Sequence, residues 1–352
     1  MTGIAAQQLK REYVMKQFPL ILTGLLALVL AACSEPPIQV LSGGAQGTTY
    51  NISYWTTAAI SRDDVQAAVS QTFDDLDKVL SNYRADSAIE RFNATLTTTS
   101  EAVDPAIVEL VAVARQVSLA SAGCFDLTIK PLFELWGFQA DKLHVPDQNE
   151  LDAQRAQMGM DKLEVVDERH LRKLKPSLRV DVSSVAQGYS VGKIAEVLEG
   201  FGIHDYLVEI GGELKTHGHK PNGNAWRIAV EKPLPGERRM MKIITLPLDK
   251  PMAVMTSGTY RHYFDHDGQR YSHILDARDG RPVQHDLVAV TVIHENPVVA
   301  DAWSTALLCV GQQQGMALAN RHRLQALFVQ HQAQALHETW SDALKTAGLK
   351  IE

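Results

Sequence analysis

The chain has 352 residues, 45% of them hydrophobic and 21% charged. That balance is ordinary for a globular protein and leaves room for one large domain or two intimate subdomains. The net charge of −7, with no basic run beyond the N-terminus, argues against nucleic acid as the main partner.

Lys10, Arg11 and Lys16 precede FPLILTGLLALVL at 18–30. A basic flank followed by thirteen mostly apolar residues predicts a signal-peptide core, too short to span a bilayer. LAAC follows, ending at Cys33, with small residues placed as in the lipobox of bacterial lipoproteins. Residues 1–32 are therefore expected to leave as signal, with Met15 an alternative start. Cys33 becomes the lipidated first residue, and 33–40 a tether containing Pro36 and Pro37. Three basic residues and one acidic residue leave with the signal, so 31 basic face 40 acidic and the charge becomes −9. Only Cys124 and Cys309 remain. Both stand in apolar contexts and are expected to be two buried thiols, since one pair makes no disulfide framework.

The body, 41–345, begins with a strand at TYNISYW (49–55). SRDDVQAAVSQTFDDLDKVL reads as a helix opened by Ser61, with Val65, Val69, Phe73, Leu76 and Leu80 on one stripe. A second helix starts at Asp104 and Pro105 and stops at Gly123, and a third covers about 184–199. The second half is mostly short strands: 206–210, 226–232, 241–248, 252–256, 271–275, 287–293 and 324–330. A helix over about 298–310 interrupts them, and ETWSDALKTAG reads as a last helix. Strands and helices mix without βαβ alternation, so the expected class is α+β.

Five stretches could carry chemistry, and each also has an ordinary structural explanation. In DAWST, Asp301 and Thr305 stand four apart on one helix face and offer two hard oxygens suited to Mg²⁺. An Asp in a first turn also suits the helix dipole, and a helical Thr often bonds its own backbone. In RVDVSSVAQGY, Asp181 ends a strand and Ser183 and Ser184 suit a helix N-terminus, which binds phosphate but also simply starts helices. Gly211-Gly212 permits close approach of a ligand or a plain bend. Asp126 is a lone acid in CFDLTIKPLFELWGF, either functional or a helix cap. His273 in RYSHILDARDGRPV could serve as a general base or as a satisfied strand residue.

Taken in order, the segments GTTYNI, LSNYRADSAIERFN, FDLTIKPLFELWGF, VDVSSVAQGYSVGKI, YLVEIGGELKTHG, TSGTYRHYF, SHILDARDGRPV and ADAWSTAL resemble the ApbE family over about 40–340. These are the FAD:protein FMN transferases. The resemblance implies one catalytic unit of the family's T-fold-like type. Its two subdomains would combine mixed and antiparallel strands with packed helices, and FAD would lie in the cleft between them.

It also implies an activity: Mg²⁺-dependent transfer of the FMN half of FAD, as substrate, to a Thr or Ser of a target protein, with AMP leaving. By family pattern Ser184, Asp301 and Thr305 match metal ligands. Gln46, Tyr83, Cys124, Phe125, Asp126, Asp181, Gln187 and Leu275 match FAD contacts, and His273 matches the base. Gln46 stands where Met is usual, Gln187 where a charged residue is usual, and Ser184 where Thr is frequent. The implied partners are flavin-acceptor subunits of membrane electron-transfer complexes, of the sodium-pumping NADH:quinone reductase or Rnf type. The implied location is the periplasmic side of the inner membrane, with the outer membrane as the alternative, because Ser34 lacks the Asp that commonly retains lipoproteins in the inner one. A Mg²⁺-dependent FAD pyrophosphatase and a non-catalytic FAD-holding lipoprotein are the rival readings.

Overall fold

The computed structural model describes residues 36–234, 236, 239–333 and 335–352, so the expected signal segment and Cys33 lie outside the described residues. Among the described residues no helix is long and apolar enough to cross a membrane. Eight strands form one sheet in the spatial order Gln39–Ala45, Thr48–Trp55, Asp205–Ile210, Glu213–His217, Met252–Gly258, Leu287–His294, Gln325–Gln332 and Ala335–Trp340. Every neighbouring pair in it is antiparallel.

Both faces of this sheet are covered, which explains why its central strands read as continuous apolar runs rather than alternating ones. Met255 and Val292 are register partners and face a core shared with the helices Arg62–Leu80, Pro105–Ala120, Ser183–Gly200 and Pro297–Arg321. Val254 and Ile293, also partners, face the opposite way. There they meet Ile228, Val230 and Ile244 of a three-stranded sheet. A third apolar cluster gathers Leu132, Trp136, Phe138, Leu151 and Leu275. Residues Ile38–Glu352 pack as one unit.

Local rules account for the helix ends. The Ser61 side chain accepts from Asp64 N, and the five expected apolar residues of that helix are all buried. Asp104 accepts from Ala106 N, with Pro105 at the first turn. The helices Ala88–Ala94, Lys130–Trp136 and Gln148–Arg155 were not expected; each is short, and only the last has a full capping box.

Four expectations change. The strand Gln39–Ala45 starts inside the expected tether, because the two-residue turn Gln46-Gly47, both at positive φ, folds it back on Thr48–Trp55. The last helix, expected over 338–348, is shorter: its first three residues end the strand Ala335–Trp340, held by its neighbour in the sheet, and Asp342–Lys345 is helical behind a Ser341 cap. The helix expected over 298–310 runs Pro297–Arg321 with a break at Gly311, φ 79°. The strand expected over 271–275 divides: Gln269–Ser272 pairs with Tyr263–His266, whereas Leu275–Asp276 pairs with Arg281–Pro282. His273 sits where the backbone changes partners.

Candidate active site

The site starts where two helices interlock. Gly188, in the first turns of the helix Ser183–Gly200, lies against the start of the helix Pro297–Arg321. A Cβ at this position would stand 2.6 Å from Pro297 O and 2.8 Å from Asp301 Cβ. Only glycine permits that approach, and it lets Gly188 N donate to Asp301 Oδ2 at 2.8 Å. Gly188→Ala should therefore cost about 1–3 kcal/mol of stability through overpacking, read as a lower melting temperature. A variant as stable as the parent would show that the helices part without cost.

Asp301, Thr305 and Cys309 follow one another at helical spacing on one face of the later helix, and all three line a cavity of about 300 Å³. Ser184, Glu213, Ser257 and His273 line it as well. Thr305 Oγ1 is 2.8 Å from Ser257 Oγ. Burial pushes the Asp301 carboxyl well above the usual carboxylate range, against the pull of the Gly188 N–H. Glu213 is pushed up too, first by burial and then by the Asp301 charge, although Thr256 N donates to its Oε2 at 2.8 Å. Among the described residues neither acid forms a salt bridge. The Arg261 guanidinium, which lines the same cavity, offsets part of the Glu213 charge, whereas Asp301 has no cationic partner of this kind among the described residues. Two buried acids and the Thr305 and Ser184 hydroxyls, all lining one cavity, make an oxygen-donor set that fits a hard divalent ion such as Mg²⁺. Among the described residues the one close cluster of three metal-type side chains is Cys124, Asp276 and Cys309, in which the two cysteines line the same cavity and are bonded to each other.

His273 is fixed by a neighbouring backbone. Its N donates to His262 O at 3.0 Å, and its Nδ1 lies 2.9 Å from that same oxygen. A carbonyl only accepts, so Nδ1 must carry the proton and Nε2 must hold the lone pair. Burial pushes the imidazole pKa down to about 4, so the ring is neutral at physiological pH. The His262 ring stacks on it with centroids 5.7 Å apart, and its Nε2 pairs with Asp141 at 3.1 Å.

The remaining expected residues fall into three groups. Tyr83, Cys124, Phe125, Asp126, Asp181, Gln187 and Leu275 all line the same cavity. Gln46 does not: it sits on the exposed hairpin tip and lines an adjoining groove of about 1070 Å³ that shares Asn82, Tyr83, Ser183, Gln187 and His262 with the cavity. Asp126 and Asp181 spend their oxygens locally. Asp126 accepts from Thr128 N at 2.7 Å and Met160 N at 3.1 Å, capping a short 3₁₀ turn. Asp181 Oδ1 accepts from Ser183 N at 2.8 Å and Asn82 Nδ2 at 2.7 Å. Val182 is the N-cap residue and offers no side-chain cap, Asp181 one residue earlier accepts from the first helical N–H, and Ser183 and Ser184 are the first helical residues.

The expectation of two buried thiols is corrected. Cys124 and Cys309 are joined in a disulfide across 185 positions of sequence. Glu213 and His262 were missed; Glu213 follows Gly211-Gly212 directly, and that double glycine was the available signal. The DARDGRPV turn is as expected, with Asp276 Oδ1 accepting from Arg278 N and Asp279 Oδ1 from Arg281 N.

The model of the ApbE family matches residues 46–328. The FAD:protein FMN transferase of Vibrio cholerae is 39% identical over 306 residues, which cover 86% of this chain and 90% of the relative. That of Salmonella typhimurium is 34% identical over 333 residues, 91% of this chain and 94% of the relative. The apo crystal structure of the Pseudomonas stutzeri flavinyl transferase ApbE superposes with a TM-score of 0.81 at 40% identity, covering 89% of this chain and 97% of that one.

Proposed function

The chain belongs to the ApbE family, and from that premise we propose that it is a flavin transferase that moves the FMN half of FAD onto a target protein. The observation that carries the chemistry is the neutral imidazole of His273, its Nε2 lone pair free, in the same cavity as a buried oxygen-donor set. The acceptor group is a Thr or Ser hydroxyl. His273 Nε2 takes its proton as the hydroxyl oxygen attacks the FMN phosphorus. A new P–O bond forms, the pyrophosphate P–O bond breaks, and its electron pair leaves with AMP.

In such a reaction the protein positions groups and neutralises charge. Asp301, Thr305 and Ser184 would hold Mg²⁺, which neutralises pyrophosphate charge when bound. The side chains of Tyr83, Phe125 and Leu275 supply apolar wall to the cavity for a flavin ring. Gln187 has its amide committed to Ile210 O at 3.1 Å and so presents its carbonyl oxygen for contact.

The sequence LAAC behind an apolar core supports a lipid anchor at Cys33 facing the periplasm, in the inner membrane where the implied acceptors sit or, given Ser34, in the outer membrane. Those acceptors are flavoprotein subunits of membrane electron-transfer complexes, of the sodium-pumping NADH:quinone reductase or Rnf type.

The test is incubation with FAD, Mg²⁺ and a purified acceptor domain. The expected result is an acceptor carrying a covalent FMN mass increment, with AMP released. Free FMN and AMP with unmodified acceptor would make the chain a pyrophosphatase, and unchanged bound FAD would make it a holder.

A further inference from the structure

The Cys124–Cys309 bond lies in the wall of the cavity and not in a remote core. Cys309 is one helical turn past Thr305 and two past Asp301, on the same face. Two residues later Gly311 breaks the helix. The segment that presents Asp301 and Thr305 therefore ends at the cysteine, with no continuous helix beyond it to hold its position. Cys124 opens the run Cys124-Phe125-Asp126, a separate segment of chain that also lines the cavity. The bond also abuts a third wall: Cys309 Sγ lies 3.8 Å from Leu275 O, and Ala277 N donates to Cys124 O at 3.3 Å. Both cysteines are buried, at 1% and 4% exposure.

We propose that the Cys124–Cys309 disulfide is a positioning clasp, which sets the distance between the oxygen-donor face of the late helix and the flavin wall, so that only the oxidised chain is fully competent. The inference rests on the reading of this cavity as the FAD site. Closing the clasp removes two S–H protons and two electrons from the thiols and forms one S–S bond. The electrons and protons pass to the disulfide of a thiol–disulfide exchange protein, which leaves as a dithiol. The chain thus matures only where such an oxidant works, and a dithiol reverses the step when local opening exposes the bond. Reduction would leave the backbone hydrogen bonds in place and release the helix end before the Gly311 break. The fold would survive while the two halves of the cavity drift apart, and small misplacements of this kind are costly in positioned reactions.

The experiment uses the full chain purified in detergent without reductant, with peptide mapping of Cys124 and Cys309 after alkylation. The oxidised protein should bind FAD. After dithiothreitol the FAD Kd should rise about ten-fold or more, and re-oxidation should restore it. The double variant Cys124→Ser/Cys309→Ser should resemble the reduced protein and should not respond to dithiothreitol. A bond that only added stability would lower the melting temperature and leave the FAD Kd at 25 °C unchanged, and that result would overturn the inference. Free thiols at both positions in protein purified without reductant would overturn it as well. Should the double variant fail to fold, the oxidised and reduced forms of the parent chain still decide the matter. Oxidised protein that bound no FAD would instead overturn the reading of the cavity, and the clasp with it.

Discussion

His273→Asn should lower the rate of FMN transfer by about 10²–10⁴-fold, the usual contribution of a general base, and leave FAD binding and melting temperature close to those of the parent. Asparagine is the informative substitution. Its side-chain N–H can take the place of Nδ1–H and donate to His262 O, which the parent imidazole satisfies at 2.9 Å. What it removes is Nε2. His273→Ala removes both atoms and leaves a buried carbonyl short of a donor, at about 1–3 kcal/mol, so its loss of activity would mix chemistry with stability. Transfer at the parent rate by His273→Asn would end the general-base assignment.

The same imidazole makes a pH prediction. Its pKa falls from the ordinary 6.5 to about 4 on burial, so below 6.5 the unfolded chain binds a proton that the folded chain refuses. Stability from this group is complete above 6.5 and is lost as pH falls from 6.5 towards 4. Denaturant midpoints at pH 7 and pH 5 should therefore drop more for the parent than for His273→Asn. An equal drop in both would mean that the ring is solvated.

Parts of this site are legible in sequence because they obey a short period. Asp301 and Thr305 are recognisable as neighbours because helical spacing alone puts residues four apart on one face. The stripe Val65 to Leu80 and the turn at Asp279-Gly280 are readable for the same local reason. What the sequence hides is whatever depends on distant backbone. The tautomer of His273 is set by the backbone carbonyl of residue 262, which lies in the bend before the strand Tyr263–His266 and whose side chain reveals nothing of it. The disulfide joins positions 185 apart, and the fold alone brings them together. Asp126 and Asp181 show the converse. Both were expected at the flavin and both line the cavity, yet each also caps a local turn, and a cap and a ligand contact call for the same residue type. Glu213 was hidden for another reason. A strand-end glutamate is ordinary, and only burial beside a second acid makes it notable.

That buried pair gives the sharpest separation of function from stability. Asp301→Asn should abolish transfer, by about 10³-fold or more, if Mg²⁺ supplies several kcal/mol of charge neutralisation through this carboxylate. Asparagine keeps an oxygen to accept the Gly188 N–H, so the helix junction survives. The sign of the stability change should be opposite to that of the activity. A carboxyl whose pKa is raised in the fold binds its proton more tightly there than in the unfolded chain, so it is least unfavourable at low pH and penalises folding increasingly as pH rises through its native titration. At pH 8 without metal, Asp301→Asn should accordingly melt about 2 °C or more above the parent, because Glu213 no longer faces a second charge. Adding Mg²⁺ should raise the melting temperature of the parent and not that of the variant, since only a state that binds the ion is stabilised by it. A variant that melted below the parent at pH 8 would show that Asp301 is a structural anchor whose charge the fold needs. A variant that kept the Mg²⁺ response would move the ion to other ligands, with Glu213 the first to test.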